Sequence, residues 1–591
     1  MANAREQIAP ELKWHLEDIY KDDSLWEADF QTAKEKIKAF PAYAGRLGES
    51  SETLLSALKD DSAISYLLEK LYVYAHMRKD EDNGNTTYQA MTDRAMQLAS
   101  QAAEQSAFMD PELVAMDPEQ LKAWANLPEF CNFRFRLLDL DRQRAHTLTK
   151  GEERIMALAS EPLNGIENIF TLLTNVDMEF GKVKNEAGEE VPLTHGSYGL
   201  LIQSPDRSVR EGAYRQYYAA FHQLENTLAA TYGASVKADV FQARARGFAG
   251  ACERALFEDN APLSVYEQLI EAVHEKLPAM GKYMALKKRA LKLDQLCMYD
   301  LYTPIVPDCD LPMTYEEAKQ VVKEALVPLG ENYQKLLDEA YENGWIDVVE
   351  TPGKTSGAYS WGVYGTHPFV LLNHQDNVDH AFTLAHELGH AMHSYHSDHA
   401  LPYELAQYRI MVAEVASTVN ESLMMRYLLN KETDPKKRAY LINQFLEQFR
   451  TTCFRQTMFA EFELKAHRMQ ENGEPLTKES LSKVYRELNE LYYPGVEVDE
   501  DIAIEWMRIP HFYGAFYVYK YATGLCTAVA LAEGVLNRGE KDRYLAFLSS
   551  GGSDYPIELL KKAGVDLTKK ESIVRSLDVF EAYVDELDKI L

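Results

Sequence analysis

Two histidines and one glutamate near the middle of the chain have the types and spacing needed to bind a metal ion and activate water. They are His386, Glu387 and His390, within V-D-H-A-F-T-L-A-H-E-L-G-H-A-M-H-S-Y-H at 378–396. Apolar residues recur there every three or four positions, which predicts a helix packed on one side. Histidines four apart project from one helix face, so both imidazoles can reach the same ion. Glu387 is rotated by about 100° from His386, which suits a general base rather than a ligand.

The same histidines would also be compatible with ordinary polar positions on a helix surface. The distribution of histidine along the chain weakens that interpretation, because eight of the sixteen lie between His367 and His399. Imidazole and carboxylate donors on a helix are typical of a catalytic zinc site. We therefore expect one zinc ion per chain, with Glu387 as the general base.

A catalytic zinc site has three protein ligands, and two residues compete to be the third. His396 would serve if the helix broke after His390, which requires a glycine three residues further on. That position is His393, so no residue suited to the break is present. Glu414 is the alternative, in the apolar helical run 406–428, where a metal would offset the cost of burying a carboxylate.

Glu421 follows Glu414 by seven residues and so shares its helix face. We expect Glu414 to be the third ligand and Glu421 to orient an imidazole from behind. A solvated stripe of two glutamates is the competing interpretation. The remaining histidines of the region are interpreted as packing and hydrogen-bonding residues: His393, His396 and His399.

A second group of polar aromatic residues lies downstream, in R-I-P-H-F-Y-G-A-F-Y-V-Y-K-Y-A-T-G at 508–524. If this stretch is one helix, Tyr513, Tyr517 and Tyr521 share a face, with His511 at its start. Phenol and imidazole groups are suitable donors to the oxyanion of a tetrahedral intermediate. An aromatic stripe packed in the core is the alternative, and the spacing alone does not separate the two.

The elements around these motifs are mostly helical. Residues 1–175 are predicted to form successive helices, followed by a small hairpin around 176–193. Short aromatic and β-branched segments between 344 and 373 predict a small sheet just before the metal helix. We place a domain boundary near residue 195, which gives an N-terminal helical domain, 1–195, and a catalytic domain, 196–591.

Composition excludes several classes of partner. The formal net charge is −30 and the pI about 5.0, which argues against nucleic acid, since phosphate binding needs basic patches. The N-terminus has no apolar signal region, and no stretch approaches the ~18 apolar residues of a membrane span. Six scattered cysteines without C-x-x-C spacing indicate free thiols. We expect a cytoplasmic protein without a membrane or nucleic-acid partner; its oligomeric state stays open.

Three motifs in this order, H-E-L-G-H-A-M-H, A-E-V-A-S-T-V-N-E and H-F-Y-G-A-F-Y-V-Y-K-Y-A-T-G, closely resemble the thimet-oligopeptidase-like metallopeptidases, specifically their oligoendopeptidase F branch. S-G-A-Y-S at 356–360 is similar to that branch too. The resemblance implies a mainly α, large helical two-lobed peptidase with a deep substrate channel and a small β-sheet beside the zinc-binding helix. It also implies cleavage of internal bonds of short peptides.

The resemblance assigns roles to individual residues. It implies that His386, His390 and Glu414 bind zinc and that Glu387 is the general base. His511 matches the family's transition-state histidine. Among the tyrosines, Tyr517 and Tyr521 are the expected catalytic pair.

Substrate binding is expected at a sheet edge, where an extended peptide adds through main-chain hydrogen bonds. We expect the strand at 369–373 to hold the peptide backbone, with Gly357, Ala358 and Tyr359 nearby, and Tyr513 to contact substrate. Two other functions remain open: a zinc carboxypeptidase of related fold, and a non-catalytic peptide-binding protein.

Overall fold

The chain is represented by a computed structural model, which describes residues 4–306, 309 and 311–591. It is mainly helical, with 71% of residues in helices and 3% in strands, so the predicted fold class is confirmed. Residues 1–3, 307, 308 and 310 lie outside the described residues.

The N-terminal part consists of successive helices, as predicted. The long α2 begins after Ser50, whose side chain accepts a hydrogen bond from the backbone of Thr53. Asp117 caps α5 in the same way, with Pro118 at its first position. The helices are α1 Asp23–Ala39, α2 Ser51–Glu81, α3 Thr86–Ser106, α4 Met109–Ala115, α5 Pro118–Ala125, α6 Arg134–Gln143 and α7 Lys150–Leu172.

A hairpin and another helical run follow. Strands β1 Lys182–Lys184 and β2 Glu190–Pro192 pair antiparallel around the predicted turn, with Val183 opposite Val191. The prediction of a small hairpin is confirmed. The next elements are α8 His195–Leu201, α9 Arg207–His222, α10 Glu225–Ala245, α11 Ala251–Phe257, α12 Leu263–Ala290, β3 Leu296–Cys297, α13 Tyr315–Ala325 and α14 Glu331–Glu342.

The small sheet before the metal helix has three short strands, in the order β4-β6-β5. They are β4 Ile346–Asp347, β5 Tyr359–Trp361 and β6 Phe369–Leu371. β6 pairs in parallel with β4 and antiparallel with β5. The expectation that the strand at 369–373 binds peptide through a free edge is therefore wrong for Phe369–Leu371, because both edges of this buried strand are already paired. β5 is at the edge of the sheet.

The motif residues lie on two long helices, α15 Val378–Ala400 and α17 Ile410–Lys431, separated by the short α16 Tyr403–Ala406. α15 continues without a break past His393, as the absence of a glycine there predicts. Gly389 is at the contact between α15 and α17. A Cβ atom at Gly389 would lie 2.5 Å from the Cα atom of Ser417, so only glycine permits this approach.

The rest of the chain is helical nearly to its end. A π-helical segment, Phe449–Phe454, joins α18 to α19. Strand β7 pairs in parallel with β3. The elements are α18 Pro435–Gln448, α19 Arg455–Glu471, α20 Lys478–Tyr492, β7 Val496–Glu497, α21 Glu500–Ala503, α22 Tyr519–Asn537, α23 Lys541–Leu548, α24 Pro556–Ala563 and α25 Lys570–Ile590.

The chain forms two compact units, each assembled from three stretches. The first contains Met1–Ala145, Leu311–Tyr427 and Leu531–Gly564, and the second contains His146–Asp310, Leu428–Ala530 and Val565–Leu591. The domain boundary near residue 195 stays a prediction. Within the described part of the chain, no helix is both long and apolar enough to cross a membrane.

Candidate metal centre and active site

Three side chains of the first unit bring their donor atoms together at the contact between α15 and α17. The Nε2 atoms of His386 and His390 are 3.2 Å apart, and each lies 3.5 Å from Oε2 of Glu414. In a tetrahedral zinc site with bonds near 2.0–2.1 Å, neighbouring ligand atoms are about 3.3 Å apart. The donor set and its spacing therefore fit a zinc-sized ion without rearrangement.

Helix geometry explains how the sequence builds this triangle. His386 and His390 are one turn apart on α15, and the close approach at Gly389 brings α17 within reach. Asn420 strengthens the contact, because its side-chain amide donates to the carbonyl of Ala385 at 3.1 Å. The Glu414 side chain is 52% exposed, so its carboxylate borders both the two imidazoles and solvent.

Glu421 lies behind the first histidine, as the spacing predicts. Its Oε1 is 2.7 Å from Nδ1 of His386. With the Nδ1 proton donated to Glu421, the Nε2 lone pair of His386 is free to bind metal. Burial alone lowers the pKa of His386, but the hydrogen bond and charge of Glu421 outweigh it and raise the pKa above its ordinary value. Glu421 thus fixes the ring and makes the imidazole more basic.

Replacing Glu421 by alanine is expected to weaken metal binding by roughly 10–100-fold, because His386 loses the partner that holds its tautomer and orientation. Competition with a chromophoric chelator measures this affinity. Asn430→Ala, at the exposed end of the same helix, is the matched control. Equal affinities in the two variants would mean that Glu421 does not act through His386.

Glu387 follows His386 directly in the sequence, but its carboxylate does not belong to the triangle of donor atoms. Its side chain is buried, and burial raises the pKa of its carboxyl, although the two neighbouring imidazoles oppose the rise. A carboxyl with a raised pKa gives and takes protons more readily near neutral pH. Its environment is suited to a general base.

Three histidines that follow His390 on α15 make packing contacts. His393 is fully buried and stacks on Tyr408, with ring centroids 3.7 Å apart. His396 stacks on Tyr333, and His399 bonds the Tyr395 carbonyl through Nδ1. None of the three belongs to the donor cluster.

The downstream group lies in the second unit, and its backbone differs from the prediction of one helix over 508–524. Pro510–Tyr513 is a 3-10 turn, the backbone is irregular through Val518, and α22 begins only at Tyr519. Phe516 has a φ of 61°, in the left-handed region that a continuous helix excludes. The expected shared helix face of Tyr513, Tyr517 and Tyr521 is therefore wrong.

The irregular backbone still brings the side chains of His511, Tyr517 and Tyr521 together. The hydroxyl of Tyr521 is 3.4 Å from Nε2 of His511, and the Tyr517 ring lies 5.3 Å from that of Tyr521. Tyr513 is placed elsewhere: it stacks on Phe170 at 4.3 Å, and burial raises the pKa of its hydroxyl. His511 and Tyr521 form a donor pair, whereas Tyr513 packs against α7.

Glu463 holds this irregular segment, and sequence analysis did not identify it. Its side chain is fully buried, and Oε1 accepts the backbone N–H of Phe516 at 3.0 Å. Burial raises the pKa of this carboxyl well above its usual range, while the hydrogen bond from Phe516 opposes the rise. A glutamate between Phe462 and Leu464 on an apolar helix was the available signal, since a buried carboxyl needs a specific partner.

The predicted peptide-binding segment lies at the edge strand of the first unit. Gly357 is exposed with a φ of 85°, and its carbonyl accepts from the Asn373 side chain at 2.8 Å. Ala358 is half-buried beside it. The Tyr359 hydroxyl donates to Asp80 at 2.7 Å. The backbone of Tyr359 lies on β5, the edge strand of the sheet.

The sequence matches two described families. Residues 200–579 match "Peptidase family M3", and residues 112–180 match "Oligopeptidase F". The oligopeptidase PepF of Bacillus subtilis is 43% identical over 591 residues, which cover 99% of this chain and 88% of that protein.

Solved structures agree with the sequence comparison. A putative peptidase from Chlamydophila abortus superposes with a TM-score of 0.96 at 34% identity, and the match covers all of both chains. Oligoendopeptidase-F from Enterococcus faecium gives a TM-score of 0.74 at 36% identity, covering 96% of this chain and 99% of that one. Together with the cluster of two histidines and a glutamate on α15 and α17, these matches show that the chain belongs to peptidase family M3 and is a metallo-oligopeptidase of the oligoendopeptidase F type.

Proposed function

We propose that this protein is a zinc endopeptidase that hydrolyses internal bonds of short peptides, with one zinc ion per chain held by His386, His390 and Glu414. The observation that carries the proposal is the triangle of donor atoms, with sides of 3.2–3.5 Å. Imidazole and carboxylate donors at this spacing suit zinc.

A zinc ion in that position supplies Lewis acidity, which polarises the scissile carbonyl and makes water a better nucleophile at neutral pH. Glu387 takes the proton of the attacking water and passes it to the leaving amine. Glu421 keeps the Nδ1 proton on His386, so that Nε2 stays a ligand throughout the cycle.

His511 and Tyr521 are proposed as donors to the oxyanion of the tetrahedral intermediate. Their Nε2 and hydroxyl atoms are 3.4 Å apart, so the two groups can converge on one oxygen atom. Tyr517 is proposed as a weaker third contributor. The resemblance to the family's transition-state histidine supports the role of His511.

Peptide binding is assigned to Gly357, Ala358 and Tyr359 at edge strand β5, with Tyr513 as a further contact. An edge strand binds an extended backbone with little demand on side chains, which suits varied peptides. We also propose a cytoplasmic location, no nucleic-acid or membrane partner, and the division into domains 1–195 and 196–591.

Digestion of peptides blocked at both ends tests the proposed reaction. Internal fragments should appear by mass spectrometry, disappear with chelator and return when zinc is added. Stepwise release of single residues from unblocked C-termini, without cleavage of blocked peptides, would instead support the carboxypeptidase alternative. Binding without cleavage in the zinc-loaded protein would support the non-catalytic alternative.

Replacing His511 by alanine is expected to lower kcat by about 10²–10³-fold with little change in KM, because an oxyanion donor acts mainly in the transition state. Tyr521→Phe should have a larger effect than Tyr517→Phe, since the hydroxyl of Tyr521 lies 3.4 Å from Nε2 of His511, whereas the Tyr517 ring lies 6.5 Å from the imidazole ring. Steady-state kinetics on a quenched fluorescent peptide measures all three. An effect confined to KM would assign these residues to substrate binding.

A further inference from the structure

A cavity in the first unit is lined by two carboxylates. Its volume is about 360 Å³, within the range of roughly 300–1,000 Å³ that is usual for ligand sites. Glu69 of α2 and Asp398 of α15 contribute the two acidic groups. Among the described residues that line the cavity, none is a lysine, an arginine or a histidine. A positive group that entered the cavity would therefore meet two acceptors and no competing cation.

Neither carboxylate forms an ion pair within the described part of the chain. Glu69 accepts a hydrogen bond from the Tyr403 hydroxyl at 2.9 Å, which holds its side chain in place. Burial raises the pKa of the Asp398 carboxyl to about 7, and the negative charge of Glu69 adds to the rise. Burial also raises the pKa of Glu69, against the hydrogen bond from Tyr403. Removing carboxylates from water without a partner is costly, and a bound cation would offset that cost.

The cavity lies at the end of edge strand β5. Gly362 follows β5 directly, and a Cβ atom there would lie 2.5 Å from Cβ of Ser394 and 3.8 Å from Oδ2 of Asp398. This close approach places the Asp398 carboxylate beside the end of the strand. Ser360 and Trp361 of β5 also line the cavity, and the buried Ser360 hydroxyl has no hydrogen-bond partner among the described residues. The cavity is thus continuous with the strand to which peptide binding is assigned.

Helix geometry sets the distance between the cavity and the proposed zinc ligands. Ser394 lines the cavity one turn beyond His390 on α15, and Asp398 lies one turn further on. At a rise of about 1.5 Å per residue, these positions are about 6 and 12 Å from His390 along the helix axis. An extended peptide advances about 3.4 Å per residue. A peptide side chain in the cavity would therefore belong to a residue about two to four positions from the cleaved bond.

Aromatic rings form much of the remaining wall. Tyr72, Trp361 and Tyr408 line the cavity, and the rings of Tyr72 and Trp361 meet edge to face with centroids 5.9 Å apart. Aromatic faces attract a cation and pack against the alkyl stem of a lysine or arginine side chain. Calcium instead takes about six to eight oxygen ligands. Two carboxylates with aromatic walls therefore suit an organic cation rather than a metal ion.

We propose that this cavity is a substrate subsite for the side chain of a lysine or arginine about two to four residues from the cleaved bond. Glu69 and Asp398 accept hydrogen bonds from the ammonium or guanidinium group, and Tyr72 and Trp361 cover its alkyl stem. The inference rests on the proposed endopeptidase function, which brings an extended peptide to β5. It adds a preference for basic residues to an edge strand that otherwise makes little demand on side chains.

Peptides blocked at both ends test the subsite on the full-length, zinc-loaded protein. Each peptide carries one lysine among uncharged residues, moved stepwise through the positions on both sides of the cleaved bond, and its partner peptide has norleucine there. Mass spectrometry confirms which bond is cut. Lysine should raise kcat/KM by about tenfold over norleucine at one position in the expected range, because its ammonium gains charge-assisted hydrogen bonds. General attraction to a chain of net charge −30 would instead act at every position.

Two variants connect that preference to the carboxylates. Asp398→Asn should lower the ratio of kcat/KM for lysine over norleucine to about one, and Glu69→Gln should lower it in the same direction. Because the readout is a ratio, a general loss of activity or stability in either variant cancels. Asp93→Asn is the matched control, since it removes the same charge at an exposed position of α3. It should keep the ratio of the unmodified protein.

The outcomes separate failure of the subsite from failure of the proposed function. Cleavage without a lysine preference, an equal preference at every position, or an unchanged ratio in both Asp398→Asn and Glu69→Gln would overturn the subsite and leave the endopeptidase function standing. A preference seen only when the N-terminal amine is left free would assign the cavity to that amine. Cleavage of none of the peptides would overturn the function. Fluorescence anisotropy would then decide the cavity, since lysine peptides should still bind more tightly than norleucine peptides.

Discussion

Glu387→Gln is expected to stop peptide hydrolysis almost completely while leaving the bound metal in place. Glutamine keeps the shape of the buried side chain but cannot accept the proton of the attacking water. General-base catalysis contributes about 10²–10⁴-fold, and we expect a loss near the upper end, since the same group also protonates the leaving amine. Turnover of a quenched peptide and metal content by mass spectrometry measure the two properties on one sample.

Glu339→Gln makes the same chemical change at an exposed position of α14 and should be as active as the unmodified protein. A metal-replete Glu387→Gln enzyme with normal turnover would remove Glu387 from the mechanism. Loss of metal together with activity would show that Glu387 supports the site's structure.

His390→Ala should remove both the metal and the activity, because only one imidazole and one carboxylate remain. Its effect on metal affinity should exceed the roughly 10–100-fold that follows loss of an orienting partner such as Glu421. Equilibrium dialysis against a zinc buffer measures the affinity directly.

His399→Ala is the matched control, because His399 lies on the same helix but is exposed and contacts Tyr395 rather than the donor cluster. It should keep full metal content. A His390→Ala protein that retained one zinc per chain at unchanged affinity would contradict the proposed ligand set.

The metal helix was predictable because its signal is local. Histidines four apart on a periodic helix share a face whatever the rest of the fold does. Glu414 and Glu421 were predictable for a different reason: carboxylates on an apolar helix need a partner, and their spacing of seven gives them one face. The structure brings both to the imidazoles of α15.

The parts that could not be predicted depend on contacts between distant segments. The turn at Phe516 relies on Glu463, 53 residues earlier, so periodicity over 508–524 wrongly indicated one helix. The order β4-β6-β5 depends on pairing rather than on strand composition, which is why the central strand was mistaken for a free edge. Gly389 could be seen in the sequence motif. The close approach of Ser417, which requires a glycine at that position, could not be predicted from the sequence.

The interleaved segments of the first unit have a consequence for synthesis of the protein. All three proposed ligands have been made by residue 414, but the unit's last stretch ends at Gly564. At translation rates of about 5–20 residues per second, that interval is roughly 8–30 s. Phe547, which packs against buried His393 of the metal helix, is synthesised only during that interval. A nascent chain therefore carries its metal ligands well before the segment that completes their surroundings.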